Sequence, residues 1–293
     1  MSNAASLFVV LLCVFSGFAD ARVAAVDGVG REITLEKPAE RIVALAPHSV
    51  ENLFSAGAGD RLVGVVSYSD YPAVARELPQ VGDFRSWSLE AIVALQPDLV
   101  VMWGSGSGLQ RVQLLEGVGI PVFVSEIKRL TDLPETIRAL STLAGTSSVG
   151  SVEAARIEAA IHALGSRYSN ARRLSVFYQI WNAPLQTLNG QHLVSDVIEL
   201  CGGENVFGDA PFIAPKISIE SVLAADPDVI VASGMGATRP EWLDDWRAYR
   251  QLGAVRNDAL LSVNPDHMQR ASARILLGAQ ALCDMFDELR DRL

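Results

Sequence analysis

The chain has 293 residues, 49% of them hydrophobic and 20% charged, enough to bury a core and long enough for two lobes of ordinary domain size. That composition excludes a disordered chain, and a net charge of −10 argues against nucleic acid or an anionic membrane surface as the main partner.

In chain order, the first element is the apolar run Ser6 to Ala19, about fourteen residues. As a helix it would measure roughly 21 Å, short for a bilayer span. It reads as a signal-peptide core, although Met1 to Ala5 carries no basic residue. Ala19-Asp20-Ala21 has the small-x-small form of a cleavage site, so export to the periplasm with removal of residues 1–21 is expected. Cys13 follows Leu12 where a lipoprotein signal has a small residue, so no lipid anchor is expected. Cleavage takes Asp20 with it and moves the net charge from −10 to −9.

Short apolar runs at 41–46, 62–67, 99–103 and 122–125 alternate with helical stretches, and runs at 174–180, 229–233 and 260–263 continue the pattern. The alternation predicts an α/β protein of two similar lobes, each with a mainly parallel sheet flanked by helices. Between the lobes, a helix near 132–144 precedes an Ala- and Glu-rich stretch in which Ile157, Ile161, Leu164 and Tyr168 recur at helical spacing. One long helix of roughly 20 residues, about 30 Å, is expected to join the lobes. Gly165 costs it about 1 kcal/mol relative to alanine, so its end is expected to fray. The expected boundaries are an N-terminal lobe at 22–145, a linker helix at 146–170 and a C-terminal lobe at 171–293.

An internal repeat supports the doubled lobe. Ser88 to Val101 (SLEAIVALQPDLVV) returns 130 residues later as Ser218 to Val231 (SIESVLAADPDVIV). Each copy reads as a helix capped by serine, with a glutamate in its first turn, stopped at Pro-Asp and followed by a buried strand. A weaker echo pairs Leu53 to Asp60 with Ile198 to Asn205, both ending a helix at glycines suited to a C-cap. In an oxidising compartment the two cysteines of the mature chain, Cys201 and Cys283, suggest one disulfide, the alternative being two inert buried thiols.

These stretches resemble the helix-linked (class III) solute-binding proteins of ABC importers for vitamin B12, haem and iron-siderophore complexes, most of all the cobalamin-binding members. The resemblance runs from Arg41-Ile42-Val43-Ala44-Leu45-Ala46-Pro47 to Ala279-Gln280-Ala281-Leu282-Cys283. Its most specific stretches are Val66 to Pro72, Leu89 to Trp103, Cys201 to Phe207 and Arg270 to Ile275. It implies a cleft between lobes, no catalysis and no cofactor other than the transported corrinoid. It also implies a monomer that docks on an ABC importer's permease dimer through one acidic residue per lobe, here Glu90 and Glu220. As ligand-binding residues it implies Tyr68, Phe84, Trp103, Trp181, Asp266, His267 and Arg270. Aromatic faces suit a broad macrocycle, and Asp and Arg suit its amides and phosphate.

Ala214 departs from the pattern, standing where cobalamin binders carry an aromatic wall; Phe212 or Trp181 would have to replace it. Haem or a ferric siderophore is the alternative ligand, with Tyr68 or His48 as an axial group. His48, His162, His192 and His267 show no metal-ligand spacing, so no structural metal site is expected, although His48, His192 and His267 could converge on the cleft. Gly104-Ser105-Gly106-Ser107-Gly108 fits none of G-x-S-x-G, G-x-G-x-x-G or a P-loop, which leaves an exported hydrolase or lyase as a remote alternative.

Overall fold

The structure, a computed structural model, describes residues 22–234, 236 and 238–293. The expected signal peptide and Cys13 lie outside the described residues. Among the described residues no helix is long and apolar enough to cross a membrane.

The described chain opens with an antiparallel hairpin, β1 (Val23–Val26) and β2 (Glu32–Leu35), which hydropathy did not foretell. Asp27 organises its turn, accepting from the Val29 and Arg31 amides at 3.0 and 2.8 Å and from the Arg31 guanidinium at 2.9 Å. The Gly28 amide then ties the turn to the Val124 carbonyl at 2.8 Å.

The first lobe is built on β3 (Ile42–Ala44), β4 (Leu62–Val65), β5 (Leu99–Trp103) and β6 (Val122–Ser125), all parallel, in the order β4-β3-β5-β6. Its helices are α1 (Pro47–Ser55), α2 (Leu89–Ala94), α3 (Gly104–Ser107), α4 (Val112–Glu116) and α5 (Asp132–Leu143). Strands β3 and β5 are buried on both faces, apart from Trp103, which is why they read as unbroken apolar runs rather than alternating ones.

After α6 (Ser147–Tyr168) come β7 (Leu174–Asn182), β8 (Leu185–Thr187), α7 (Leu193–Leu200), β9 (Gly203–Asn205), α8 (Ile219–Ala225) and β10 (Val229–Ala232). Then follow α9 (Gly253–Arg256), β11 (Leu260–Ser262), α10 (Pro265–Met268) and α11 (Ile275–Arg290). The first half of the nine-residue β7 pairs with β9 in parallel and its second half with β8 antiparallel. On its other edge β7 pairs with β10, and β10 with β11, both in parallel. With the antiparallel β8 set aside, β9-β7-β10-β11 repeats the winding of β4-β3-β5-β6. The repeat in the sequence is therefore the helix and third strand of each winding.

Ser88 and Ser218 cap α2 and α8 by accepting from the Ala91 and Ser221 amides at 3.1 and 3.2 Å. Replacing either serine with alanine is expected to cost about 1 kcal/mol, read as a lower urea midpoint at unchanged slope. The weaker echo marks the ends of α1 and α7, where Gly57 and Gly202 hold φ of +75° and +73°. A Cβ there would be strained, and would also approach Val149 and Arg290 at 2.8 Å.

Helix α6 has 22 residues and bridges the lobes, packing on α5 at one end and on α7 and α11 at the other. It does not fray at Gly165, as its sequence suggested. Leu164 and Tyr168 are buried in the core, which outweighs the glycine's cost. The missing side chain also lets α7 approach, since a Cβ on Gly165 would sit 3.2 Å from Leu200. Cys201, the C-cap of α7, is bonded to Cys283 in α11, with Cα atoms 4.7 Å apart, so the alternative of two free thiols falls away.

Candidate functional site

Where the strand order of an open parallel sheet reverses, the chain leaves neighbouring strands in opposite directions and opens a crevice at their carboxyl ends. In the first lobe that point lies between β3 and β5. His48, in the first turn of α1 after β3, and Trp103, the last residue of β5, meet there edge to face with ring centroids 5.2 Å apart. Phe84 backs Trp103 at 5.8 Å.

A cavity of about 220 Å³ opens here between the lobes. The first lobe lines it with His48, Trp103, Ser105 and the 126–128 segment, and the second with Leu188, Gln191, His192, Ile213, Ala214 and Gln269. Mostly apolar walls with a few polar groups are the usual make-up of a ligand site. Its volume falls below the roughly 300–1,000 Å³ that encloses drug-sized molecules.

Of the ligand residues expected from the sequence, Trp103 lines the cavity and Phe84 stands behind it. Tyr68 is 76% exposed with φ at +66°, and Trp181 is 38% exposed, its indole N–H donating to the Ala183 carbonyl at 2.9 Å. Neither lines the cavity, nor do Asp266, His267 and Arg270. Arg270 is turned toward carboxylates instead, pairing with Asp70 at 2.7 Å, Glu51 at 3.0 Å and Asp266 at 3.0 Å. Burial would lower its pKa, but the hydrogen bonds it donates to Asp70 and Glu51 outweigh that and raise it. His267 is partly buried and is held below the usual imidazole range by desolvation and then by Arg274.

Sequence reasoning missed the partners of that arginine. Glu51 on α1 also accepts from the Ser272 hydroxyl at 2.5 Å and from Arg274 at 3.3 Å, while the Asn52 amide donates to the Ala271 carbonyl at 2.9 Å. The Arg274 guanidinium stacks 4.3 Å from the centre of the Tyr71 ring. These contacts fasten residues 270–274 to the first lobe. A buried Glu-Asn pair on an amphipathic helix was the available signal.

Two of the histidines weighed from the sequence, His48 and His192, do converge on the cavity. Burial pushes His48 down to about 4, aided by the Arg270 charge, and burial likewise pushes His192 to about 4. The Nδ1 atom of His192 accepts from the Val194 amide at 3.1 Å and so caps α7, which requires that nitrogen to be unprotonated. Both rings are neutral when folded but take up a proton near pH 6.5 when unfolded. Their contribution to stability is thus complete above pH 6.5 and is lost as the pH falls toward 4. Between pH 7 and 5 each is expected to cost roughly 2 kcal/mol of stability, read by urea unfolding at the two values, with His48→Gln removing its share.

Glu90 and Glu220 occupy matching exposed positions in the first turns of α2 and α8. Each carboxyl is held below its usual range first by its own backbone amide and then by the capping serine, Ser88 or Ser218. Each lobe therefore presents one anion at the same point of its winding.

A family model described as "Periplasmic binding protein" matches residues 42–266. The chain belongs to that family. The match spans both windings and the α6 bridge. Within the family, the chain is 36% identical to the vitamin B12-binding protein of Vibrio campbellii over 87% of this chain and 92% of the relative. It is 34% identical to that of Yersinia pestis, over 84% and 85%. Among solved structures it superposes on the periplasmic vitamin B12 binding protein BtuF of Vibrio cholerae with a TM-score of 0.79, 34% identity, and coverage of 86% and 98%. The periplasmic heme-binding protein RhuT of Roseiflexus sp. RS-1 shares the fold at a TM-score of 0.75 and 24% identity, covering 86% and 99%.

Proposed function

We propose that the protein is exported to the periplasm with cleavage after Ala21, captures a corrinoid between its lobes without chemical change, and delivers it as a monomer to the permease dimer of an ABC importer. The observation that carries this reading is the inter-lobe cavity walled by Trp103 on one side and Ile213 and Ala214 on the other, in a chain more than a third identical to a vitamin B12-binding protein. Trp103, backed by Phe84, offers an aromatic face to the macrocycle. Tyr68, Trp181, Asp266, His267 and Arg270 would meet the ligand where it projects beyond the cavity. The lobe boundaries near 145 and 171 put α6 between two bodies that a permease can separate.

Titration with cyanocobalamin, followed by visible absorbance and tryptophan quenching, tests the ligand. Submicromolar binding is expected, weakened at least tenfold in Trp103→Ala, a loss of about 1.4 kcal/mol. Submicromolar binding of haemin or a ferric siderophore with none of the corrinoid would overturn the ligand, and hydrolysis of ester or amide substrates would overturn the class.

Glu90 and Glu220 would serve as matched handles for a twofold partner. Exposed pairs contribute only about 0–1 kcal/mol each, so their effect lies in steering and register. Glu90→Lys combined with Glu220→Lys is expected to abolish uptake into vesicles while leaving ligand affinity unchanged. Intact uptake would refute the docking role.

A further inference from the structure

The run Gly104-Ser105-Gly106-Ser107-Gly108, which fits no catalytic motif, follows Trp103 directly, and its first four residues form α3 with Trp103 as the N-cap. A residue on a helical turn lies over the one three positions before it, so position 106 faces the indole. A Cβ on Gly106 would sit 1.9 Å from Cε3 of Trp103, 2.3 Å from Cδ2 and 2.4 Å from Cζ3. Carbon atoms in contact stand about 3.5–4.0 Å apart, so no side chain fits between this backbone and the ring. Distances so nearly equal place that point over the face of the ring rather than beyond its edge.

Composition alone would make a Gly-Ser run flexible, yet this one is tied at both ends. The Ser105 amide donates to the Glu126 carboxylate at 2.8 Å, an approach that Gly104 permits, since a Cβ there would stand 2.7 Å from Glu126 Oε2. The buried Ser107 hydroxyl donates to the Phe84 carbonyl at 3.0 Å, and the Phe84 ring packs on Trp103 at 5.8 Å. His48 meets the same indole edge to face. Gly106 against the ring face, with His48 and Phe84 beside it, holds the indole in its place at the cavity wall.

We propose that this loop is a seat for Trp103 and that Gly106 is a positioning residue for ligand capture, setting the plane in which the indole meets the ligand. This rests on the reading of Trp103 as the aromatic face offered to the ligand. Stacking depends on the offset and tilt of the ring, so a displaced indole loses contact even with its area intact. A ring already fixed also loses little freedom when the ligand arrives.

The test is a double-mutant cycle in which cyanocobalamin is titrated into wild type, Gly106→Ala, Trp103→Ala and the double variant. Gly106→Ala should weaken binding at least about fivefold in wild type and by less than about twofold beside Trp103→Ala, where the ring it displaces is gone. A merely structural defect would cost the same in both backgrounds. Equal losses, or binding by Gly106→Ala within about twofold of wild type, would overturn the proposal. The free protein gives a second readout, because the near-ultraviolet circular dichroism that Trp103→Ala removes should also be lost in Gly106→Ala. An unchanged spectrum would overturn the seat. Failure of wild type to bind cyanocobalamin would overturn the corrinoid reading instead, and the spectrum of the free protein would then decide the seat alone. Should Gly106→Ala not fold, Ser107→Ala takes its place in the cycle. Cutting the tie to Phe84 should weaken binding about threefold in wild type and leave the Trp103→Ala background unchanged, and equal losses would again overturn the proposal.

Discussion

Glu51→Leu is expected to destabilise the protein by about 3–5 kcal/mol, because removing one partner of a buried ionic network leaves the others uncompensated. The Glu51 side chain is only 2% exposed and meets Arg270 at 3.0 Å and Arg274 at 3.3 Å, both themselves 16% exposed. Asp70 and Asp266 continue to pair with Arg270 after the change, and the Tyr71 ring still covers Arg274. Those remaining contacts place the expected loss toward the lower end of the range. The Ser272 hydroxyl loses its acceptor as well. Since Glu51 lies on α1 and its partners lie between α10 and α11, the loss falls on the seam between lobes. The amides of 270–274 should exchange hydrogen faster than those of β3 or β10, and the thermal midpoint should fall by about 6–10 °C. A second change, Arg274→Met, should recover part of the loss by removing one stranded charge. A midpoint within 2 °C of wild type would refute the seam's role.

Replacing Cys201 and Cys283 together with alanine is expected to cost close to 4 kcal/mol. The two residues are separated by 82 positions, and a loop of about that length carries a chain-entropy value of roughly 4.5 kcal/mol, with strain and residual structure reducing what is realised. The bond joins the end of α7 to α11 inside the second lobe. The Arg290 guanidinium donates to the Cys201 carbonyl beside it at 2.5 Å, so local packing outlasts the bond. The lobe should therefore fold to the same circular dichroism spectrum and melt lower by about 10 °C. Unfolding in reductant should reproduce that shift in wild type and add nothing to the double variant. An unchanged midpoint would show that packing alone holds the two helices.

Strands β3, β5, β6 and β10 were legible because a strand buried on both faces is apolar at nearly every position, and such runs stand out, while β7 was legible through its apolar first part although Ser175 and Gln179 interrupt it. The serine caps at Ser88 and Ser218 were legible because capping is local chemistry within four residues. The hairpin at 23–35 and the short β8 and β9 were not. Three- and four-residue strands give too little periodicity, and β9 is polar at Glu204 and Asn205 yet paired because β7 offers an unfilled edge. Gly165 misled for a related reason. Its propensity is local, but the burial of Leu164 and Tyr168 that overrides it is not.

The candidate site divides along the same line. Glu90 and Glu220 follow from position within the repeated helix, and Trp103 from the resemblance at the end of β5. That Arg270 faces three carboxylates, that His48 and His192 share one cavity, and that Ala214 faces them depends on residues 48 to 270 meeting across two lobes.

By itself the sequence determined two α/β windings, the helix that joins them, their caps and the matched glutamates in the first turns of α2 and α8, since each rests on hydrophobic period and side-chain chemistry within a few residues. Only the tertiary structure decided which side chains line the cleft, which are held in ion pairs, and which imidazole caps a helix. Those outcomes depend on contacts between segments more than two hundred residues apart, and no local pattern encodes them.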